Sequence, residues 1–215
     1  IVLAQRTDSE TQAALAAAKG DFEEQLRIDA QAETLPDAAH QVEYLREQDV
    51  TAYAQLHDGA GVRSSIADNS MSNDRSVVLN RTAALMGAYY ALGRWNDVLA
   101  LVDSLEVAAA QLGPVAIRFE ERGVRPPAAV SMAMRGDFKG ANTRIEHTAL
   151  DCDICVRARG RIADLGHRWG AAAYWFNMVS ARSPSLPFAD ADWGQMLLDK
   201  GDADGRISRA GEHRR

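Results

Sequence analysis

Residues 153–184 read DICVRARGRIADLGHRWGAAAYWFNMVSARSP, and this stretch decides the fold. A helix rich in small residues runs up to the phrase Gly166-His167-Arg168-Trp169, and a second helix carrying Ala171-Ala172-Ala173 follows it. The phrase, a Gly followed by a polar residue and an aromatic, recurs along the chain. It stands as Lys19-Gly20-Asp21-Phe22, as Leu92-Gly93-Arg94-Trp95, as Arg135-Gly136-Asp137-Phe138 and, with Ala in the aromatic place, as Lys200-Gly201-Asp202-Ala203. Gly at such a point ends a helix, because it takes the left-handed conformation of a helix C-terminus without penalty. From Phe138 to Trp169 is 31 residues and from Trp169 to Ala203 is 34, whereas Trp95 to Phe138 is 43. The 73 residues between Phe22 and Trp95 leave room for one degenerate unit.

The surrounding sequence agrees with an all-helical chain. Alanine runs such as 13–18 and 83–85 favour helix, since Ala gives up no rotamer freedom on entering one. Valines are scattered rather than alternating, and no Asn-Gly or Asp-Gly turn joins two β-branched segments. The 215 residues are 47% hydrophobic and 25% charged, which is the usage of a chain that folds around a core. A formal net charge of −6 offers no overall footprint for nucleic acid or an anionic membrane surface. No apolar stretch approaches the roughly 18 residues of a membrane span. Ile1-Val2-Leu3-Ala4 fits either the remnant of a signal peptide or a trimmed start, so the compartment stays open between cytoplasm and export.

A period near 34 residues with two helices per unit resembles the tetratricopeptide repeat family, in the manner of bacterial TPR-like helical repeat proteins. In that resemblance Gly160 and Ala172 take the small slots of the first and second helix of the unit 153–184, Phe176 the aromatic slot, Val179 the next inward slot and Pro184 the closing proline. Ala141 fills the second-helix small slot of the preceding unit, and Tyr89 and Gly93 match in the unit from Asn80, where Val98 replaces the usual Ala. The last unit offers Trp193, Gly194 and Gly201, but Arg206 stands where Ala is expected. The resemblance implies an all-α, α-α superhelix, a TPR-like solenoid of about five to six helix hairpins. Residues 1–79 would form degenerate repeats and residues 80–215 clearer ones, in one continuous solenoid. Residues 58–74, rich in Ser, Asn and Gly, read as a loop with at most a short second helix, and Gly59-Ala60-Gly61 as a turn.

Chemistry-bearing patterns are sparse. Cys152-Asp153-Ile154-Cys155 has the spacing of a thiol pair, with three readings open: packing cysteines, a disulfide, or half of a metal site completed by His147 and His167. No H-E-x-x-H, phosphate loop or G-x-S-x-G elbow occurs. Arg157 and Arg161, four apart, share a helix face, and in the resembled family their slots line the inner groove where peptides are held. Against that reading stands a solvated face or a pairing with Asp153 or Asp164. Phe188 and Trp193 are candidate anchors of the same groove, with a core role as the alternative.

The expected function is a scaffold that binds a protein or peptide on its concave face, with no catalytic residues, no cofactor, no nucleic acid and no membrane span. A regulatory or sensory segment of a larger enzyme or transcription regulator is the alternative. A metal-dependent enzyme built on His147, Cys152, Cys155 and His167 is the minority reading.

Overall fold

The computed structural model describes residues 2–34, 42–67 and 74–201, and among these every regular element is helical. Arg206 and the tail from Ser208 lie outside the described residues, as does Ala203. The chain divides into two compact units, residues 1–101 and 102–215.

The first unit holds α1 (Val2–Ala18), α2 (Phe22–Glu33), α3 (Val42–Gln55), α4 (Gly59–Ala67), α5 (Arg75–Ala91) and the start of α6 (Trp95–Leu112). One turn geometry joins α1 to α2, α3 to α4 and α5 to α6. Gly20 sits at φ +77° and its N–H reaches the Ala17 carbonyl at 3.0 Å, while the Asp21 N–H reaches back to Ala16 at 2.9 Å. The Asp21 carboxylate then accepts the Glu24 N–H at 3.1 Å and so caps α2. Two residues thus close one helix and open the next, answering backbone groups that a helix end would otherwise leave unpaired.

The same pair of backbone bonds recurs at Gly93 and Arg94, which reach Tyr90 and Tyr89 at 3.1 and 2.8 Å. At the third site the left-handed residue is His57, at φ 57°, with Asp58 following it and capping α4 through the N–H groups of Ala60 and Gly61 at 3.0 Å. His57 is therefore the turn of the degenerate unit, 37 residues after Gly20 and 36 before Gly93. Gly59-Ala60-Gly61, read from sequence as a turn, is the first turn of the helix α4. Its second glycine is needed there, because a Cβ on Gly61 would stand 2.2 Å from the Tyr53 ring. α3 packs on α2, α4 and α5. Val50, Ala54, Val62 and Ala88 form the core between them, with Tyr53 and Tyr89 against it.

The second unit holds the rest of α6, then α7 (Pro114–Phe119), a π-helical turn (Glu120–Val124) and α8 (Arg125–Met134). α9 (Phe138–Glu146), α10 (Asp153–Leu165), α11 (Trp169–Arg182) and α12 (Phe188–Asp199) follow. Pro126 and Pro127 follow the π-helical turn with no break in the helix, and neither brings an N–H to the carbonyls of the turn before it. Gly136 makes the α8–α9 turn at φ +85°, and Asp137 caps α9 through the Gly140 N–H at 2.8 Å. Between α10 and α11 the left-handed residue is His167, at φ 55°, not Gly166. Its N–H reaches Asp164 at 2.7 Å and that of Arg168 reaches Ala163 at 2.8 Å.

Packing follows sequence order. α10 lies against α8 and α9 before it and against α11 and α12 after it. α10 and α11 approach closely, and a Cβ on Gly160 would stand 2.4 Å from Cε1 of Phe176. Phe176, Ala172 and Ala163 are sealed from solvent together with Trp193, Met196 and Leu197 of α12. Val156, Val179 and Ala189 form a second cluster beside them.

Two outcomes check this account. Replacing His57 or His167 by Gly removes a side chain from a left-handed position and should stabilise the fold by about 0.5–1 kcal/mol each in urea unfolding. Gly160→Ala should destabilise it by about 1–3 kcal/mol, because the Phe176 ring must move to admit one methyl group.

Candidate functional site

α10 and α12 present neighbouring faces at the end of the second unit. Counted back from the turn residues His167 and Gly201, Ile154 and Phe188 occupy the same register position, each thirteen residues earlier. Both are more than half exposed, at 57% and 56%. Arg157 lies one turn along α10 from Ile154 and its guanidinium sits over the Phe188 ring, 5.2 Å from the centroid. Its Nε and Nη2 both donate to Oδ2 of Asp192, at 2.9 and 2.8 Å. The two side chains retain 25% and 19% of their exposure, so the pair is partly withdrawn from water. Neither Asp153 nor Asp164 is the Arg157 partner. Asp153 instead accepts the Ser183 hydroxyl at 2.6 Å, which ties the start of α10 to the end of α11.

Arg161, one turn along α10 from Arg157, lies within electrostatic reach of Asp164. Burial pushes the Asp164 carboxyl up to about 6, with Asp199 and Asp192 adding to the rise and Arg161 and His167 opposing it. Its Oδ1 is shut off from solvent with no hydrogen-bond partner in the protein. Trp193, expected beside Arg157 and Arg161 as an anchor, belongs to the core instead. It is 4% exposed and packs with Phe176 and Met196, because its position on α12 points back at α10 and α11. The face therefore comprises Ile154, Arg157, Arg161, Phe188 and Asp192.

Cys152 and Cys155 are joined in a disulfide at the start of α10, and the Cys155 N–H donates to Sγ of Cys152 at 3.3 Å. Neither sulfur in this state is the thiolate that a metal ion binds. The two histidines grouped with them stand at other helix ends, His147 at the C-terminus of α9 and His167 in the turn before α11, against the Trp169 ring at 5.0 Å. Among the described residues no three His, Cys, Asp or Glu side chains are gathered to hold a metal ion.

His147 does line a pocket of about 710 Å³ in the second unit, with charged groups around it that answer one another. Arg144 bonds to Glu106, and Arg125 Nε donates to Glu120 at 3.0 Å. Glu120 is 3% exposed, and burial raises its carboxyl while the Arg125 bond lowers it. This pocket has no signature in the sequence, because its charges come from four helical segments that only packing brings together.

Arg159 was also missed by sequence reasoning. It is 9% exposed and its Nη2 donates to the carbonyls of Ile145, Glu146 and Thr148 at 2.8, 3.2 and 2.8 Å, closing the C-terminal end of α9. A cation at that end also meets the negative pole of the helix.

Comparison with known proteins attaches no name to this arrangement: no family model matches the chain, and neither does any curated protein or solved structure. No helix among the described residues is long and apolar enough to cross a membrane.

The elevated Asp164 carboxyl has a pH consequence. Its value is 3.8 in an open chain and about 6 in the fold, so the folded state holds the proton more tightly and protonation stabilises it. That contribution is present at low pH and is lost as pH rises from about 4 through about 6. Asp164→Asn should therefore be more stable than the parent at pH 7, by about 1 kcal/mol once solvent screening is allowed for, and the difference should vanish near pH 4 in paired thermal melts.

Proposed function

We propose that the chain is a TPR-like solenoid of about five to six helix hairpins, and that its first-helix face holds an extended peptide or protein segment without transforming it. The hairpin turn supports the repeat reading. The same two backbone hydrogen bonds stand at residues 20, 57, 93, 136 and 167, and in each unit a hairpin packs on its sequence neighbours. A helix pair built this way leaves one apolar side to be covered by the next pair, which is how repeat arrays are stabilised.

One observation carries the binding reading: Ile154 and Phe188, the same register position on successive first helices, both expose their apolar side chains with Arg157 and Asp192 between them. Two apolar contacts one repeat apart, with a charge of each sign beside them, suit a partner segment in extended form. A preformed helical surface loses little ordering entropy on the scaffold side when such a segment docks.

Selection of a random peptide library displayed on phage against the whole chain tests this. Enriched peptides should lose at least tenfold in affinity to the double variant Ile154→Asp/Phe188→Asp, whose helicity and melting temperature stay close to those of the parent because both side chains face water. The charge swap Arg157→Asp/Asp192→Arg keeps the pairing between α10 and α12 while inverting its field, so it separates binding from folding. Failure of the library to enrich any sequence, or undiminished binding by the double variant, would sink the proposal.

A further inference from the structure

A second pocket of about 720 Å³ lies on the other side of α10, among α9, α10 and α11. Lys139, Asn142, Thr143 and Glu146 of α9 contribute to its wall, Arg159 and Ala163 come from α10, and Arg168, Ala171 and Trp175 come from the turn before α11 and from α11 itself. It shares no residue with the exposed face of Ile154, Arg157 and Phe188. Three cations stand in this wall against the single carboxylate of Glu146, in a chain whose formal net charge is −6.

Arg159 makes the wall more than a charged surface. Its Nη2 is spent on three backbone carbonyls, and its guanidinium carbon lies 5.5 Å from the centroid of the Trp175 ring. The other nitrogen, Nη1, is also shut away from bulk solvent and has no acceptor within the protein. A buried N–H donor without an acceptor costs about 1–3 kcal/mol, which a fold keeps only when something offsets it. Arg168 stands across the pocket with Nη2 on Oδ1 of Asn142 at 3.2 Å, a neutral partner that leaves its charge unanswered by a carboxylate there. The remaining wall is apolar: Ile145, Leu150, Ala163, Ala171 and the Trp175 ring. The volume is that of a site for a small organic molecule.

We infer that this pocket binds a small organic carboxylate, its anionic end on Arg168 and within the positive field of the buried Arg159, and its apolar body against Trp175 and Leu150. A guanidinium donates to carboxylate oxygens in a planar, directional way, and the opposite charges of the two partners strengthen such bonds. The apolar body distinguishes this ligand class from a bare inorganic anion, since phosphate would leave the Trp175 side of the pocket unfilled. Lys139, at the exposed edge of α9, adds charge without a fixed direction.

Calorimetric titration of the whole chain with phenylacetate, with its neutral isostere phenylacetamide and with inorganic phosphate tests the inference. Phenylacetate should bind with a dissociation constant below about 10 mM, and the amide and phosphate at least tenfold more weakly. Arg168→Gln should weaken phenylacetate binding by about tenfold, the size of one charge-assisted hydrogen bond, with the thermal melt unchanged. Arg159→Met removes the bonds that close the end of α9, so Arg168→Gln and Trp175→Phe carry the test. In Trp175→Phe the ligand-induced change in tryptophan emission should disappear. No heat of binding with phenylacetate, equal affinity for the amide or for phosphate, or full affinity in Arg168→Gln would each overturn it.

Discussion

Five helix hairpins among the described residues depend on one backbone state, a single residue with positive φ placed between two helices. At residues 20, 57, 93, 136 and 167 that state sends two N–H groups back onto the closing helix and releases the chain directly into the next one. The connection is so short that the two helices must run against each other at once. Only small residues or glycine then fit where they cross, as Gly61 against Tyr53 and Gly160 against Phe176 demonstrate. The turn therefore sets the packing, and the packing sets which side chains remain outside.

What remains outside defines the two candidate surfaces. Burial of Trp193 and Phe176 in the seam of α10, α11 and α12 removes large apolar area from water, at about 2–3 kcal/mol for each side chain. The Arg157–Asp192 pair is partly wet and contributes less, of order 1 kcal/mol or below. The apolar seam thus holds α12 in place, and the ion pair fixes how Phe188 and Arg157 meet on its surface. On the opposite side of α10, Arg159 ties α9 to α10 through carbonyls while leaving a polar nitrogen toward the interior. One helix supplies both the exposed strip of Ile154 and Arg157 and part of the wall of the pocket beside α9 and α11.

The turns show how far local sequence reaches. Gly20, Gly93 and Gly136 announce themselves because glycine is the residue that pays nothing for positive φ. His57 and His167 hold the same conformation and stay hidden, since histidine visits it rarely enough that no rule of composition points there. For that reason residues 58–74 read as a loop with at most a short second helix, and α4 over Gly59–Ala67 is that short helix. Helical spacing put Arg157 and Arg161 on one face, and its size as an aromatic singled out Phe188 with Trp193. Trp193 was not separable from them, because one helix carries its inward and outward residues only a few positions apart.

The all-helical class, the recurrence of hairpins and the small residues at their crossings were determined by the sequence alone, because each follows from preferences acting within a few residues. The partners of charged side chains were decided only by the tertiary structure. Arg157 found Asp192 thirty-five residues away, Arg159 found carbonyls of the preceding helix, and Asp164 was driven toward neutrality by burial among Asp199, Asp192 and Arg161. Electrostatic partners act through distance in space and through exclusion of water, and neither quantity exists until the helices have packed.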